Sequence, residues 1–188
     1  MPSSLGAVTT PVTRGRWRRV FWRVRQFGHS IQARQDSSVD DALRALLSSE
    51  GQWRLLERLT PFDRAHHLRV YQILVNAGHD DAHLLRAALL HDVGKADERG
   101  RANALHRSVY VLARRFAPAV LPAIARRGKP LTHGLFLTGR HAVIGATMAR
   151  GAGAPERTCE LIARHGESPP TNDELLDALI AADTAAID

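Results

Sequence analysis

The chain has 188 residues and a formal net charge of +7 at pH 7, a length that suits one domain with a full hydrophobic core. Its single cysteine, Cys159, excludes an internal disulfide and favours a reducing cytoplasm. No apolar run approaches the roughly 20 residues of a membrane span, and no secretory signal is recognisable.

The first 35 residues are predicted to form a basic arm, because they contain seven arginines and no acidic residue. The 19 remaining basic residues equal the 19 acids, so the body at residues 36–188 is neutral overall. We therefore expect the charge excess to reside in the arm. This distribution weighs against a body that binds nucleic acid.

A basic amphipathic helix is predicted within this arm. Its apolar residues recur at helical spacing between flanking arginines, and they are Trp17, Val20, Phe21 and Val24. We favour docking of this helix on the chain's own domain or on a second subunit. An anionic membrane surface is the next alternative, and nucleic acid is the least favoured.

A helix is predicted over 61–77, with Thr60 as its N-cap and Pro61 in its first turn. Its apolar face is expected to contain Phe62, Val70, Ile73 and Ala77. His66 falls in the middle of that face, and His67 falls near its edge. A histidine at such a position is commonly a core residue, so His66 alone does not indicate a metal.

The apolar helical segment 84–90 continues directly into His91 and Asp92. Burying an unpaired carboxylate is costly, so something must compensate Asp92. A divalent metal ion would do so, because histidine nitrogen and aspartate oxygen are its usual donors. The alternative is that His91 caps the helix and Asp92 pairs with an arginine.

Three more ligand-type residues fall on predicted inward helix faces. His141 precedes an apolar face that includes Met148, and His165 ends a helix before Gly166. Asp183 lies on the inner face of a last helix that we expect to start with a capping box at 171–174. One shared metal site explains these positions more simply than six independent coincidences, and its candidates are His66, His91, Asp92, His141, His165 and Asp183.

The rest of the body predicts an all-α fold, because Ala, Leu and Arg dominate and strand-like alternation is nearly absent. Two loops, 95–103 and 127–140, are expected to frame the site, the second as a surface connection. The remaining histidines are expected to be ordinary surface or packing residues, and they are His29, His79, His83, His106 and His133.

The order and spacing of these residues resemble the HD-domain superfamily of metal-dependent phosphohydrolases. Residues 66–70 look like the first-histidine helix of that superfamily, and residues 88–95 look like its namesake motif. The resemblance covers the chain roughly from Phe62 to the C-terminus. It implies a single HD-type helical bundle at 36–188, preceded by the arm at 1–35.

In this superfamily one metal is held by the first histidine, the His-Asp pair and a late aspartate, which implies His66, His91, Asp92 and Asp183 here. Two-metal members add two histidines, which match His141 and His165, and Asp92 would bridge both ions. Such members often have a His-His pair where this chain has His165-Gly166. The Glu-Asp pair of guanosine-tetraphosphate hydrolases and the Gly-Tyr-Pro signature of cyclic-dinucleotide phosphodiesterases are absent, so those substrates are disfavoured.

The resemblance implies a metal-dependent phosphohydrolase that acts on a small phosphomonoester or a nucleotide-like phosphoester. Asp92 would be both ligand and orienter of the attacking water, and Lys95 would meet phosphate as a point charge. Nitrogen and oxygen donors without thiolate favour one or two ions of Mn²⁺, Fe²⁺ or Ni²⁺, with Mg²⁺ and Zn²⁺ as alternatives. Two other hypotheses stay open, namely an inactive metal- or nucleotide-binding regulatory module and a purely structural helical domain without metal.

Overall fold

The computed structural model describes residues 37–129 and 132–187. Within them the chain forms a first group of helices, α1 (Ser37–Leu46), α2 (Glu50–Glu57), α3 (Pro61–Asn76) and α4 (Ala82–Leu90). A 3₁₀ turn (Val93–Lys95) and a hairpin of β1 (Ala96–Asp97) and β2 (Gly100–Arg101) follow. The rest comprises α5 (Ala104–Phe116), a 3₁₀ turn (Pro118–Val120), α6 (Leu121–Ile124), α7 (His133–Gly151), α8 (Glu156–Arg164) and α9 (Glu174–Ile187).

Local side-chain caps explain where the helices near the site begin. Thr60 accepts the backbone N–H of Asp63 at the start of α3, as predicted. Asp81 accepts two N–H groups at the start of α4. The predicted capping box of the last helix is wrong in detail, because Asp173 accepts the N–H of Leu176 while the Thr171 hydroxyl bonds to Asp177.

Helix α4 lies at the centre of the bundle and packs against α3, α8 and α9. Its Leu84, Ala87, Ala88 and Leu90 have no exposed surface, because neighbouring helices cover it on several sides. An apolar helix of this kind needs burial all round to be stable in water. The all-α prediction is confirmed, and the two-stranded hairpin is the one sheet in the described residues.

Both predicted loops contain regular secondary structure, a hairpin in the first and part of a helix in the second. The first contains the antiparallel hairpin, in which Ala96 pairs with Arg101 and Asp97 with Gly100. The second is helical from His133 onward, because Leu135 and Leu137 are buried and draw this stretch into α7. A sequence rich in glycine and basic residues had indicated a surface connection there.

All described residues belong to one compact unit, Gln35–Asp188. The predicted amphipathic helix of the basic arm lies outside the described residues, so it stays a prediction, as does the boundary at 35/36. No helix in the described part of the chain is long and apolar enough to cross a membrane.

Candidate metal centre

The His91–Asp92 pair lies where α4 ends in the core. His91 is the C-terminal cap of α4, and Asp92 leads into the 3₁₀ turn with backbone angles φ −107° and ψ 8°. Both residues are buried, at 0% and 3% exposure. Gly94 lets this turn lie directly against α7, since a Cβ there would overlap the His141 carbonyl oxygen. This close approach brings His141 beside Asp92.

Three imidazole rings from different helices surround the Asp92 carboxylate. The Nε2 atom of His91 lies 3.4 Å from Oδ2 of Asp92. The Nε2 atoms of His141 and His165 lie 3.3 Å and 3.6 Å from Oδ1. Asp92 is therefore a shared centre for side chains from α7, from the end of α4 and from the end of α8.

The same local hydrogen bond orients all three rings. In each, Nδ1 lies 2.7–2.9 Å from the backbone carbonyl three residues earlier, and these carbonyls belong to Ala88, Thr138 and Ile162. A carbonyl only accepts, so Nδ1 carries the proton and donates it. In a neutral ring, Nε2 then offers a lone pair toward Asp92. This is the tautomer that a histidine ligand needs.

Helices α3 and α9 complete the other side of the cluster. His66 on α3 and Asp183 on α9 are hydrogen-bonded, with 2.8 Å between Nε2 and Oδ1. The same Oδ1 atom of Asp183 lies 3.4 Å from Nε2 of His91. The structure thus brings together all six side chains that the sequence singled out as ligands.

Among the described residues, five of these six side chains form two overlapping groups that could hold a metal ion, and Asp183 lies beside the first group. Donor atoms of His66, His91 and Asp92 lie within 4.8 Å of one another, and so do those of Asp92, His141 and His165. Asp92 belongs to both groups. The two groups could hold one ion, or two that share Asp92.

The hydrogen bonding of the cluster supports a divalent metal at this site. Nε2 of His91 is completely buried and forms no hydrogen bond of ordinary geometry, although carboxylate oxygens of Asp92 and Asp183 lie 3.4 Å away. Buried polar atoms are usually satisfied, so an orphan of this kind needs an explanation. A cation beside Asp92 and Asp183 would supply one, and the nitrogen and oxygen donors suit first-row transition metals.

The electrostatics of the cluster point the same way. Burial opposes protonation of His91, but Asp92 and Asp183 outweigh it and raise the pKa of His91 to about 10. Burial also disfavours the charged form of Asp92, yet Lys95 and His91 hold the pKa of its carboxyl well below the usual range. The two carboxylates thus keep a positive charge between them, which a metal ion could replace.

The pKa shifts of His141 and Asp183 indicate which of the two ligands is neutral and which is charged. Burial lowers the pKa of His141 to about 4, so its ring is neutral at pH 7 and its Nε2 lone pair is available. Burial acts to raise the pKa of Asp183, but its hydrogen bond with His66 and its ion pair with His91 lower it far below the usual range. Asp183 is therefore ionised at all ordinary pH values.

Lys95 points into the same cluster. Its ammonium forms an ion pair with Oδ2 of Asp92, and its side chain is mostly buried. A positive charge is therefore already present at the carboxylate shared by the two groups. The role of Lys95 toward phosphate stays a prediction.

The helical phase of α3 differs from the prediction by one position. His67 has no exposed surface, whereas His66 lies at the edge of the buried face. His67 Nδ1 donates to the carbonyl of Leu89 at 2.7 Å. The buried spacing of His67, Val70 and Leu74 could have indicated this phase.

A buried histidine outside the candidate ligand set, His133, ties the hairpin to α7. Its Nδ1 accepts the N–H of Gly128 at 3.1 Å, so its Nε2–H donates to Asp97 at 2.8 Å. His133 was expected to be a surface or packing residue, and because it is buried, the second of these holds. The sequence contains no local signal for the pair, because its members are 36 positions apart.

Comparison with known proteins gives one family. The family model of the HD domain matches residues 64–187, a span that contains all six candidate ligands and Lys95. Searches of curated proteins and of solved structures gave no match.

Proposed function

The chain belongs to the HD-domain family, and from that premise we propose that it is a metal-dependent phosphohydrolase acting on a phosphomonoester or a nucleotide-like phosphoester. Metal-dependent phosphohydrolysis is the chemistry typical of this family. The substrate class is part of this proposal, because family membership indicates a chemistry and does not identify a metabolite.

The observation that carries the proposal is that Asp92 belongs to both groups of candidate metal ligands. His66, His91, Asp92 and Asp183 would hold a first ion, and His141 and His165 would join Asp92 around a second. When bound, a divalent ion at such a site lowers the pKa of water and polarises phosphoryl oxygens. Mn²⁺, Fe²⁺ and Ni²⁺ suit these donors best, and Mg²⁺ and Zn²⁺ are alternatives.

The protein's own groups supply orientation and charge. The carbonyl of Ala88 fixes the ring of His91, and that of Thr138 fixes the ring of His141, so the site is preorganised before substrate arrives. Asp92 is an acceptor that can orient a water for attack on phosphorus. Lys95 brings an ammonium to the same place, where it can attract a phosphoryl oxygen as a point charge.

The proposal is tested by elemental analysis of protein purified without chelator, followed by turnover of a phosphoester panel with added Mn²⁺. We expect bound metal and phosphate release, and we expect Asp92→Asn to abolish both. Asp41→Asn is the matched control, because Asp41 is exposed and lies outside both donor groups. Bound metal without turnover of any substrate would favour the regulatory binding module, and protein without metal affinity would favour the structural domain.

A further inference from the structure

Helix α5 carries an apolar stripe that no described residue covers. Leu105, Val109, Leu112 and Phe116 recur at offsets of four, three and four, which places them on one face of the helix. They are 65%, 38%, 57% and 68% exposed. The helix has no fully buried residue, so the folding of this domain does not account for the stripe.

The exposed apolar side chains of the described chain are concentrated here. Six of its eight exposed large hydrophobic residues lie between Leu105 and Val120. Single exposed apolar residues are common on protein surfaces and need no explanation. A contiguous group of them marks an interaction surface.

The same part of the chain is strongly basic. Residues 99–155 contain ten arginine and lysine residues and no acidic residue. The body is therefore neutral only in total, because its positive charge is concentrated in this segment and its excess negative charge lies before and after it. Of the described basic side chains in this segment, only that of Arg150 forms an ion pair with a carboxylate.

We propose that the α5 stripe docks on the surface of an anionic phospholipid bilayer. Aliphatic and aromatic side chains on one face of a basic amphipathic helix suit the boundary between headgroups and acyl chains. Cations near that face gain attraction to anionic headgroups. The guanidinium of Arg115, 5.5 Å from the centroid of the Phe116 ring, lies beside the stripe where such headgroups would be.

Charge and chemistry favour a membrane over the other occupants of such a face. A second copy of this chain, or the acid-free arm at 1–35, would bring two basic segments together at this face, at an electrostatic cost. Nucleic acid would match the charge, but it would leave the apolar side chains without a partner. This inference does not depend on the proposed function.

The test is co-sedimentation of the full chain with vesicles. One set is an equimolar mixture of phosphatidylcholine and phosphatidylglycerol, and the other is phosphatidylcholine alone. We expect binding to the mixed vesicles, weakened by salt, and at least about a tenfold lower partition coefficient for the double variant Leu112→Gln/Phe116→Gln. Val143→Gln is the matched control, because Val143 is 63% exposed on α7 and outside the stripe. All variants keep the seven arginines of residues 1–35.

Circular dichroism of each variant checks that the fold is retained. We expect it to be retained, because the replaced residues are exposed. Equal vesicle binding by wild type and the double variant would overturn the proposal, because the stripe would then contribute nothing. A wild-type dimer that the double variant loses, without vesicle binding, would assign the stripe to a second copy. Binding of duplex RNA without vesicle binding would likewise overturn it.

Discussion

The ring of His67 stacks on the ring of His91, with 4.6 Å between their centroids and 26° between their planes. His67 also donates a hydrogen bond to the carbonyl of Leu89, two residues before His91. It therefore contacts both the ring and the backbone that carries it. Because His67 lies outside both donor groups, we infer that its role is to hold His91 in position.

The neighbouring histidines of α3 should respond differently to removal. His66→Ala should abolish binding at the first ion site, because it removes a donor and the partner of Asp183. His67→Ala should lower the free energy of unfolding by about 2–4 kcal/mol, since it leaves a cavity and an unpaired carbonyl. Its metal affinity should fall by about tenfold at most. Calorimetric Mn²⁺ titration and urea unfolding measure the two effects, and equal loss of metal from both variants would contradict this assignment.

The number of ions depends on His141 and His165. We predict two ions per chain in the wild type and one in His141→Ala or His165→Ala, because each change removes a donor from the second group only. Metal content after equilibrium dialysis gives the stoichiometry. His79→Ala is the control, being a histidine outside both groups. An unchanged stoichiometry in both site variants would remove them from the ligand set.

Gly94 should be intolerant of any side chain. A Cβ there would overlap the carbonyl oxygen of His141 and crowd the backbone nitrogen of Gly145. Gly94→Ala should therefore separate the turn from α7, with a stability loss of about 3 kcal/mol or more and weaker metal binding. Gly166→Ala, which meets nothing within 4 Å, should be nearly neutral. Thermal unfolding with and without Mn²⁺ compares the two, and a neutral Gly94→Ala would refute the close approach.

The candidate site was predictable because its signals are local. An apolar helix that runs into His91 and Asp92 is visible in the sequence, and the helical period alone selects His141 and Asp183. The period gave the wrong choice between His66 and His67, because it was anchored on Phe62 and Ile73, which are only partly buried. That choice depends on the Leu89 carbonyl, which another helix supplies.

The unpredicted features depend on distant partners. The bond between Asp97 and His133 joins a hairpin to a helix that begins 36 residues later, and no periodicity encodes it. The uneven distribution of charge along residues 36–188 was not predicted, for a different reason. Because the charges of residues 36–188 sum to zero, the total does not show that residues 99–155 contain no acidic residue.

The Asp97–His133 bond should make stability depend on pH. Burial acts to raise the pKa of Asp97, but hydrogen bonds from His133 and from the N–H groups of Arg99 and Gly100 lower it below the ordinary value. The folded state then favours the ionised form, so the stabilisation is present above about pH 4 and is lost as pH falls through the folded pKa. Urea unfolding should show a gap between wild type and Asp97→Asn at pH 7 that narrows in acid. Glu98→Gln is the control, and a gap independent of pH would contradict the prediction.

Lys95 should separate metal binding from turnover. Its ammonium pairs with Asp92, where it repels an incoming cation, so Lys95→Ala should bind Mn²⁺ as tightly as wild type or more tightly. The same variant should lose ~10- to 1000-fold in kcat/KM, equivalent to about 1.4–4 kcal/mol of transition-state stabilisation. Lys95→Arg should not restore the rate, because the planar guanidinium is larger and differently directed. The only other lysine is Lys129, so Lys129→Ala is the matched control, and a Lys95→Ala protein as active as wild type would make Lys95 a structural partner of Asp92 alone.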